Sequence, residues 1–241
     1  MGVFDQAEYD VRCEWGPVGL KALAPISDVV IIVDVLSFST CVDIAAGRGA
    51  TVLPCRWKDE HAADIAAQHD ALLAGRRGMG AFSLSPVSLS DIPANVRLVL
   101  PSPNGSALSA AVGTTPMFAG CLRNAAAVAR AATASGRRIA VIPAGERWHS
   151  EDDSLRPALE DLLGAGALIS ALTGRLSPEA QLAKDAFCGA QSELDTRLME
   201  SSSGRELAER GFAEDVVMAS EWNVSSCAPQ LVDGAYKNMG T

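Results

Sequence analysis

Val29-Val30-Ile31-Ile32-Val33-Asp34 is an unbroken β-branched run closed by an acid. A continuous run of this kind reads as a strand covered on both faces, the mark of a parallel sheet. Working outward, residues 37–40 lead into a small-residue helix over 41–46 that ends at Gly47, and 50–53 is a second strand. Residues 59–73 read as helix ending at Gly75, and the Gly-, Ser- and Pro-rich stretch 76–91 as loop. Strands follow at 97–100, 116–119 and 138–142, separated by a turn at 101–105, a helix from Ser106 and an alanine-rich helix over 125–134. From Leu155 the chain reads as helical. Ser177-Pro178-Glu179 supplies a cap with Pro at the first helical position, and Ser203 to Glu206 fits a capping box. The tail over 216–236 is a candidate for a strand returning to the sheet. Alternating strand and helix predicts a layered α/β fold with a mainly parallel sheet. With no long linker or repeat, residues 1–241 read as one unit.

Composition narrows the function. Lys and Arg total 20 against 29 Asp and Glu, for a net charge of −9. That balance offers no footprint for a nucleic-acid backbone or an anionic lipid surface. A small anionic substrate stays compatible, because a pocket can be locally positive on an acidic protein. No apolar stretch approaches the about 18 residues of a membrane helix, and residues 1–10 lack a signal-peptide pattern. The six cysteines show no CxxC spacing, so reduced thiols and a cytoplasmic setting are expected. The apolar stretch 164–172 suits a subunit interface as well as a core, which leaves a homo-oligomer open.

Ligands in open α/β sheets bind beyond the carboxyl ends of strands. Four segments lie just after predicted strands: 34–40, 101–106, 120–124 and 143–147. If the strands are parallel, all four converge on one edge. Asp34 and Glu146 are hard carboxylates suited to Mg²⁺, which takes one or two of them with waters and a phosphate. Arg123 and Arg147 suit bidentate anion binding. Ser37, Ser39, Asn104, Gly105 and Ser106 sit at helix starts, where free N–H groups favour phosphate. Each also has a plainer reading: Asp34 as a helix cap, Asn104-Gly105 as a turn, the arginines as solvated, Glu160-Asp161 as a helix face.

Several mechanisms are absent. There is no GxxxxGK[ST] loop, no Gly-x-Ser-x-Gly elbow, and no second carboxylate two residues after Asp34. Gly164-Ala165-Gly166 falls in a helix, so it is no dinucleotide fingerprint, and Arg123 follows Cys121 too closely for a cysteine-phosphatase cradle. His61 and His69 read as a solvated helix face, whereas His149, near Trp148 and Glu151, is the histidine beside a candidate loop. Cys41 and Cys121 read as small buried residues rather than redox groups.

These motifs occur together and in order: 30–40, Ser85-Pro86, Pro103-Asn104-Gly105-Ser106, Gly120-Cys121-Leu122-Arg123-Asn124, and Ala144-Gly145-Glu146 through Glu160-Asp161. From about Val29 to the 229–234 tail the chain resembles the 2-phosphosulfolactate phosphatase family, in wording closest to its actinobacterial branch. The resemblance implies a three-layer α/β/α fold and a Mg²⁺-dependent phosphoric monoester hydrolase, of a family first associated with coenzyme M biosynthesis. It places Asp34, Asn104, Asn124, Gly145 and Asp161 on shared motif positions. It implies Mg²⁺ contacts from Asp34 and Asp161, with Glu146 as a third. Asn104 and the Ser106 amide would bind phosphate, and Arg123 a sulfonate or carboxylate. The chain departs from the family at Ser37, where many members carry Arg, and at Gly75-Arg76-Arg77, where many carry Gly-Glu-Arg. A binding protein without turnover, or a phosphatase of another hydroxy-acid phosphate, are the alternatives these departures leave.

Overall fold

The computed structural model describes residues 2, 4–56, 60–148 and 154–240. In chain order the first half contains β1 (Val11–Cys13), α1 (Gly16–Leu23), β2 (Val29–Val33), α2 (Phe38–Gly47), β3 (Thr51–Cys55), α3 (Glu60–Gln68), β4 (Leu72–Leu73), β5 (Arg97–Pro101), α4 (Gly105–Ala111) and β6 (Met117–Gly120). The second half contains α5 (Ala125–Ser135), β7 (Ile139–Pro143), β8 (Glu146–Arg147), β9 (Leu155–Arg156), α6 (Leu159–Ala171), α7 (Pro178–Ala190), α8 (Leu194–Glu200), α9 (Ser202–Glu209), α10 (Ala213–Ser220), β10 (Pro229–Val232) and β11 (Ala235–Asn238).

The run at 29–33 is the centre of a nine-stranded mixed sheet of order β1-β7-β2-β6-β10-β11-β3-β5-β4. β2 is parallel to both neighbours, with Ile31 opposite Val141 on β7 and Phe118 on β6. Every residue of β2 is buried, and its side chains divide by parity. Val29, Ile31 and Val33 join a core with Val128 of α5, Leu163 and Leu168 of α6 and Phe187 of α7. Val30 and Ile32 join a second core with Leu20 of α1, Val42 of α2 and Leu108 of α4. Helices therefore cover both faces, and the fold is a three-layer α/β/α sandwich.

The sheet has two parallel blocks, β1-β7-β2-β6 and β3-β5-β4, joined by the antiparallel hairpin β10–β11. The seams are narrow: Gln230 faces Phe118 on one side and Tyr236 faces Val52 on the other. Three successive antiparallel steps make the blocks run in opposite directions, so the four post-strand loops do not share one edge by parallelism alone.

Three local readings are corrected, the returning strand of the tail is found as a hairpin, and two elements are added. The helix expected over 59–73 stops at Gln68, Asp70 turns to a φ of 48°, and Leu72–Leu73 pair with β5. The helix expected from Leu155 begins at Leu159, after β9 has paired with β8. The cap of α9 is Ser201, which accepts from the Gly204 amide, and not Ser203. The 216–236 tail begins in α10, and its strands close around Asp233 and Gly234, both at positive φ as an Asp-Gly hairpin turn requires. β1 and α1 carried no sequence signal; β1 forms one edge of the sheet, and Leu20 and Leu23 of α1 pack against Val30 and Ile32 of β2. Ser177 caps α7 as expected, accepting from Ala180 at 3.1 Å.

The apolar 164–172 stretch is core. Gly164 faces Val33 and Val35, and a Cβ added at Gly166 would lie 2.1 Å from the Ala183 carbonyl oxygen of α7. Close helix contact at this point depends on the missing side chain. Gly166→Ala is expected to cost about 1–3 kcal/mol through overpacking, read as a lower denaturation midpoint with an unchanged slope.

Candidate active site

Asp34 leaves β2 with its carboxylate shared between two helix starts. Oδ1 accepts the Phe38 amide of α2 at 3.1 Å, and Oδ2 accepts the Gly105 amide of α4 at 2.8 Å. The contact with Gly105 joins the two halves of the sheet. It needs glycine, because a Cβ there would lie 2.2 Å from Phe38 Cδ1 and 2.9 Å from Asp34 Oδ2. The cap reading of Asp34 therefore holds, twice over.

Asp161, in the first turn of α6, repeats the device. Oδ1 accepts the Val35 amide at 2.8 Å, and Oδ2 accepts the Gly145 amide at 2.8 Å. Gly145 holds a φ of 67°, a left-handed geometry suited to glycine. The loops leaving β2, β5 and β7 are thus tied to one another through two carboxylates.

Glu146 stands half-buried at the start of β8, and its Oε2 accepts from Asn104 Nδ2 at 2.9 Å. Glu160 is only 2% exposed, and its Oε2 has no hydrogen-bond partner among the described residues. Four carboxylates are therefore crowded into one protected spot. Burial pushes the Asp34 carboxyl up to about 6, against the pull of the Phe38 and Gly105 amides, and Glu160 adds to the rise. Burial, then the charge of Asp34, pushes Glu146 up to about 7. Asp161 is driven well above the usual carboxylate range, first by burial and then by Asp34. Among the described residues no three His, Cys, Asp or Glu side chains form a ready-made metal cage.

Glu146, alone of these four, lines a cleft of about 910 Å³. Arg76, Arg77, Arg147, Arg156 and Arg210 line it with Asn104, Glu146, Trp148 and the start of α9. Arg156 lies over the Trp148 ring at 5.9 Å and donates to Ser203 Oγ at 3.1 Å. Arg77 is clamped by Asp215 of α10 and the Leu84 carbonyl, and donates to Ser37 Oγ at 3.0 Å. Asp215 also holds the 85–87 turn, accepting from Ser85 Oγ at 2.6 Å and the Val87 amide at 3.1 Å.

The structure thus gathers Asp34, Asn104, Gly105, Glu146, Arg147 and Asp161 at the cleft or beneath it. Ser37 touches it through Arg77. Ser39 and Ser106 are buried in local bonds, Ser39 exchanging bonds with the Asp34 backbone and Ser106 donating to the Leu100 carbonyl at 3.1 Å. Arg123 and Asn124 lie elsewhere. Arg123 pairs with Asp43 at 3.2 Å and with Glu221 beside a separate polar cleft, and Asn124 folds back on the Cys121 amide at 2.9 Å. Arg77, Arg156 and Glu160 were not singled out as site residues from the sequence. Arg156 sits on the short β8–β9 hairpin, which left no legible pattern. His149 and Glu151 lie outside the described residues. Cys41 and Cys121 are buried and their thiols pushed up by that burial, Cys121 to about 12, so neither is a ready nucleophile.

An α/β sandwich with buried acids beside an arginine-lined cleft is suited to a small anion handled at a carboxylate centre. The family described as 2-phosphosulpholactate phosphatase matches residues 19–234. The chain belongs to this family, one of phosphoric monoester hydrolases. It is 30% identical over 217 residues to the 2-phosphosulfolactate phosphatase of Methanothermobacter thermautotrophicus, covering 88% of this chain and 91% of that one. It is 26% identical to a probable 2-phosphosulfolactate phosphatase of Pseudothermotoga lettingae over 214 residues, covering 86% and 91%. A third relative, a probable 2-phosphosulfolactate phosphatase of Carboxydothermus hydrogenoformans, is 30% identical over 213 residues, covering 83% and 85%.

The raised carboxyls have a thermodynamic consequence. Glu146, Asp34 and Asp161 bind protons more tightly folded than unfolded, so their contribution to stability is full below the unfolded values and is lost as pH rises through the folded ones. With chelator present, the melting temperature should fall as pH is raised from about 5.5 to about 8, and Glu146→Gln should flatten that slope. Thermal scans at matched ionic strength test this, and a melting temperature that rises over the interval refutes it.

Proposed function

We propose that this protein hydrolyses 2-phosphosulfolactate to sulfolactate and phosphate with Mg²⁺ as cofactor. The observation that carries the proposal is the meeting of buried carboxylates with an arginine-lined cleft, in a chain aligned with the family across most of its length. The substrate bears phosphate, sulfonate and carboxylate groups, and Arg76, Arg147 and Arg156 supply a guanidinium for each.

The acids fit a hard divalent cation. They offer oxygen donors only, and burial together with mutual repulsion holds three of them above their usual range, a strain that a cation relieves. In this reading Asp34 holds the ion, because a carboxylate accepting two N–H bonds keeps lone pairs in reserve. When bound, Mg²⁺ supplies charge neutralisation at the phosphoryl oxygens. Asp161, whose oxygens accept one backbone amide each as those of Asp34 do, ties the loops together. Asn104 fixes Glu146 Oε2, so proton exchange falls to Oε1, on a group whose pKa of about 7 suits transfer near neutrality. The arginines orient the ester, and Trp148 under Arg156 fixes that guanidinium in the cleft wall.

Phosphate release is measured with and without Mg²⁺ on 2-phosphosulfolactate, phospholactate and p-nitrophenyl phosphate. Release from 2-phosphosulfolactate that disappears in chelator is expected, and a folded protein that releases phosphate from none of them overturns the proposal. Glu146→Gln should lower kcat by about 100-fold. Arg156→Ala should instead raise KM, by about tenfold or more, as loss of a hydrogen bond to a charged group does. Asp34→Asn is expected to cost stability as well as activity, since its amide would set an N–H against the Phe38 or Gly105 N–H.

A further inference from the structure

The orphaned oxygen of Glu160 is the polar atom in this region that the hydrogen-bond network leaves unexplained. Asp34 and Asp161 each accept two backbone N–H bonds, and Glu146 accepts from Asn104. Glu160 Oε2 lies as deep as they do and accepts from none of the described residues. The side chain is close enough to Asp34, Glu146 and Asp161 to raise the pKa of all three. Its place in the first turn of α6 gives it the favourable end of a helix dipole. Burying an unpaired carboxylate costs more than a dipole returns, so the dipole alone does not account for it.

We propose that Glu160 is a ligand of the divalent cation, with Oε2 the coordinating atom. The inference rests on the Mg²⁺ reading above and adds the residue that completes it. Mg²⁺ commonly takes one or two carboxylates and leaves its other positions to water and phosphate. Asp34 and Glu160 make such a pair, in keeping with the lack of a three-ligand cage among the described residues.

The test is Mn²⁺ and Mg²⁺ binding by the full chain without substrate, followed by calorimetry and by the metal-induced rise in melting temperature. Wild type should bind, and Glu160→Gln should bind at least about tenfold more weakly and lose most of the thermal rise. In chelator the same variant should melt at or above wild type, because the removed oxygen held no hydrogen bond and the new amide can donate to neighbouring carboxylates. A structural role would lower that melting temperature and spare the metal affinity. Glu160→Asp keeps the charge on a shorter stem, and should bind weakly but measurably, which also covers a Gln variant that does not fold. Unchanged Mn²⁺ affinity in the variants overturns the assignment alone. A wild type that binds neither ion overturns it together with the Mg²⁺ reading.

Discussion

The carboxylate of Asp34, bonded to the amides of Phe38 and Gly105, is the contact on which the architecture around the cleft turns. The two blocks of the sheet meet only through the β10–β11 hairpin, along seams one residue pair wide. Such a junction leaves the orientation of β5 relative to β2 weakly specified by the backbone ladder. Asp34 supplies what is missing, because a charge-assisted bond to a backbone N–H is short and directional. Glycine at 105 lets the second block come near enough for the bond to form.

Asp161 makes the same kind of tie between the β2 and β7 loops. The two acids use their charge for architecture. Each is stabilised by amides that favour its ionised form and opposed by burial and by neighbouring acids, and opposition wins for both. The cluster is thereby left short of positive charge. Arg77 and Asp215 form a third tie, fastening the 76–87 loop to α10 across the cleft floor.

Periodicity revealed the central layer and not its joint. The strands 29–33, 97–101 and 139–143 were legible because parallel strands buried on both faces read as unbroken apolar runs. β1 and β4 were not, since three and two residues cannot show a period. The tail over 216–236 reads from sequence as one returning strand, and that reading passes over the Asp233-Gly234 turn that makes it a hairpin. At the site, the acids after the strands were found by position, whereas the role of Arg123 could not be read because its partners, Asp43 and Glu221, are 80 and 98 residues away. Glu160 looked like an ordinary exposed helix residue. Only the packing of α6 shows that it is buried, and only the hydrogen-bond pattern shows that it is unpaired.

The arginine-lined cleft on a chain of net charge −9 also sets how a ligand arrives. An anion far from the surface feels the whole molecule and is repelled, while one at the mouth feels the arginines and is drawn in. At about 0.1 M salt the screening length is about 10 Å, so ions in solution erase the distant repulsion well before they weaken contacts inside the cleft. Capture of a multiply charged anion is therefore slowest in dilute buffer and accelerates at moderate ionic strength, the reverse of the behaviour of an enzyme that steers its substrate from afar.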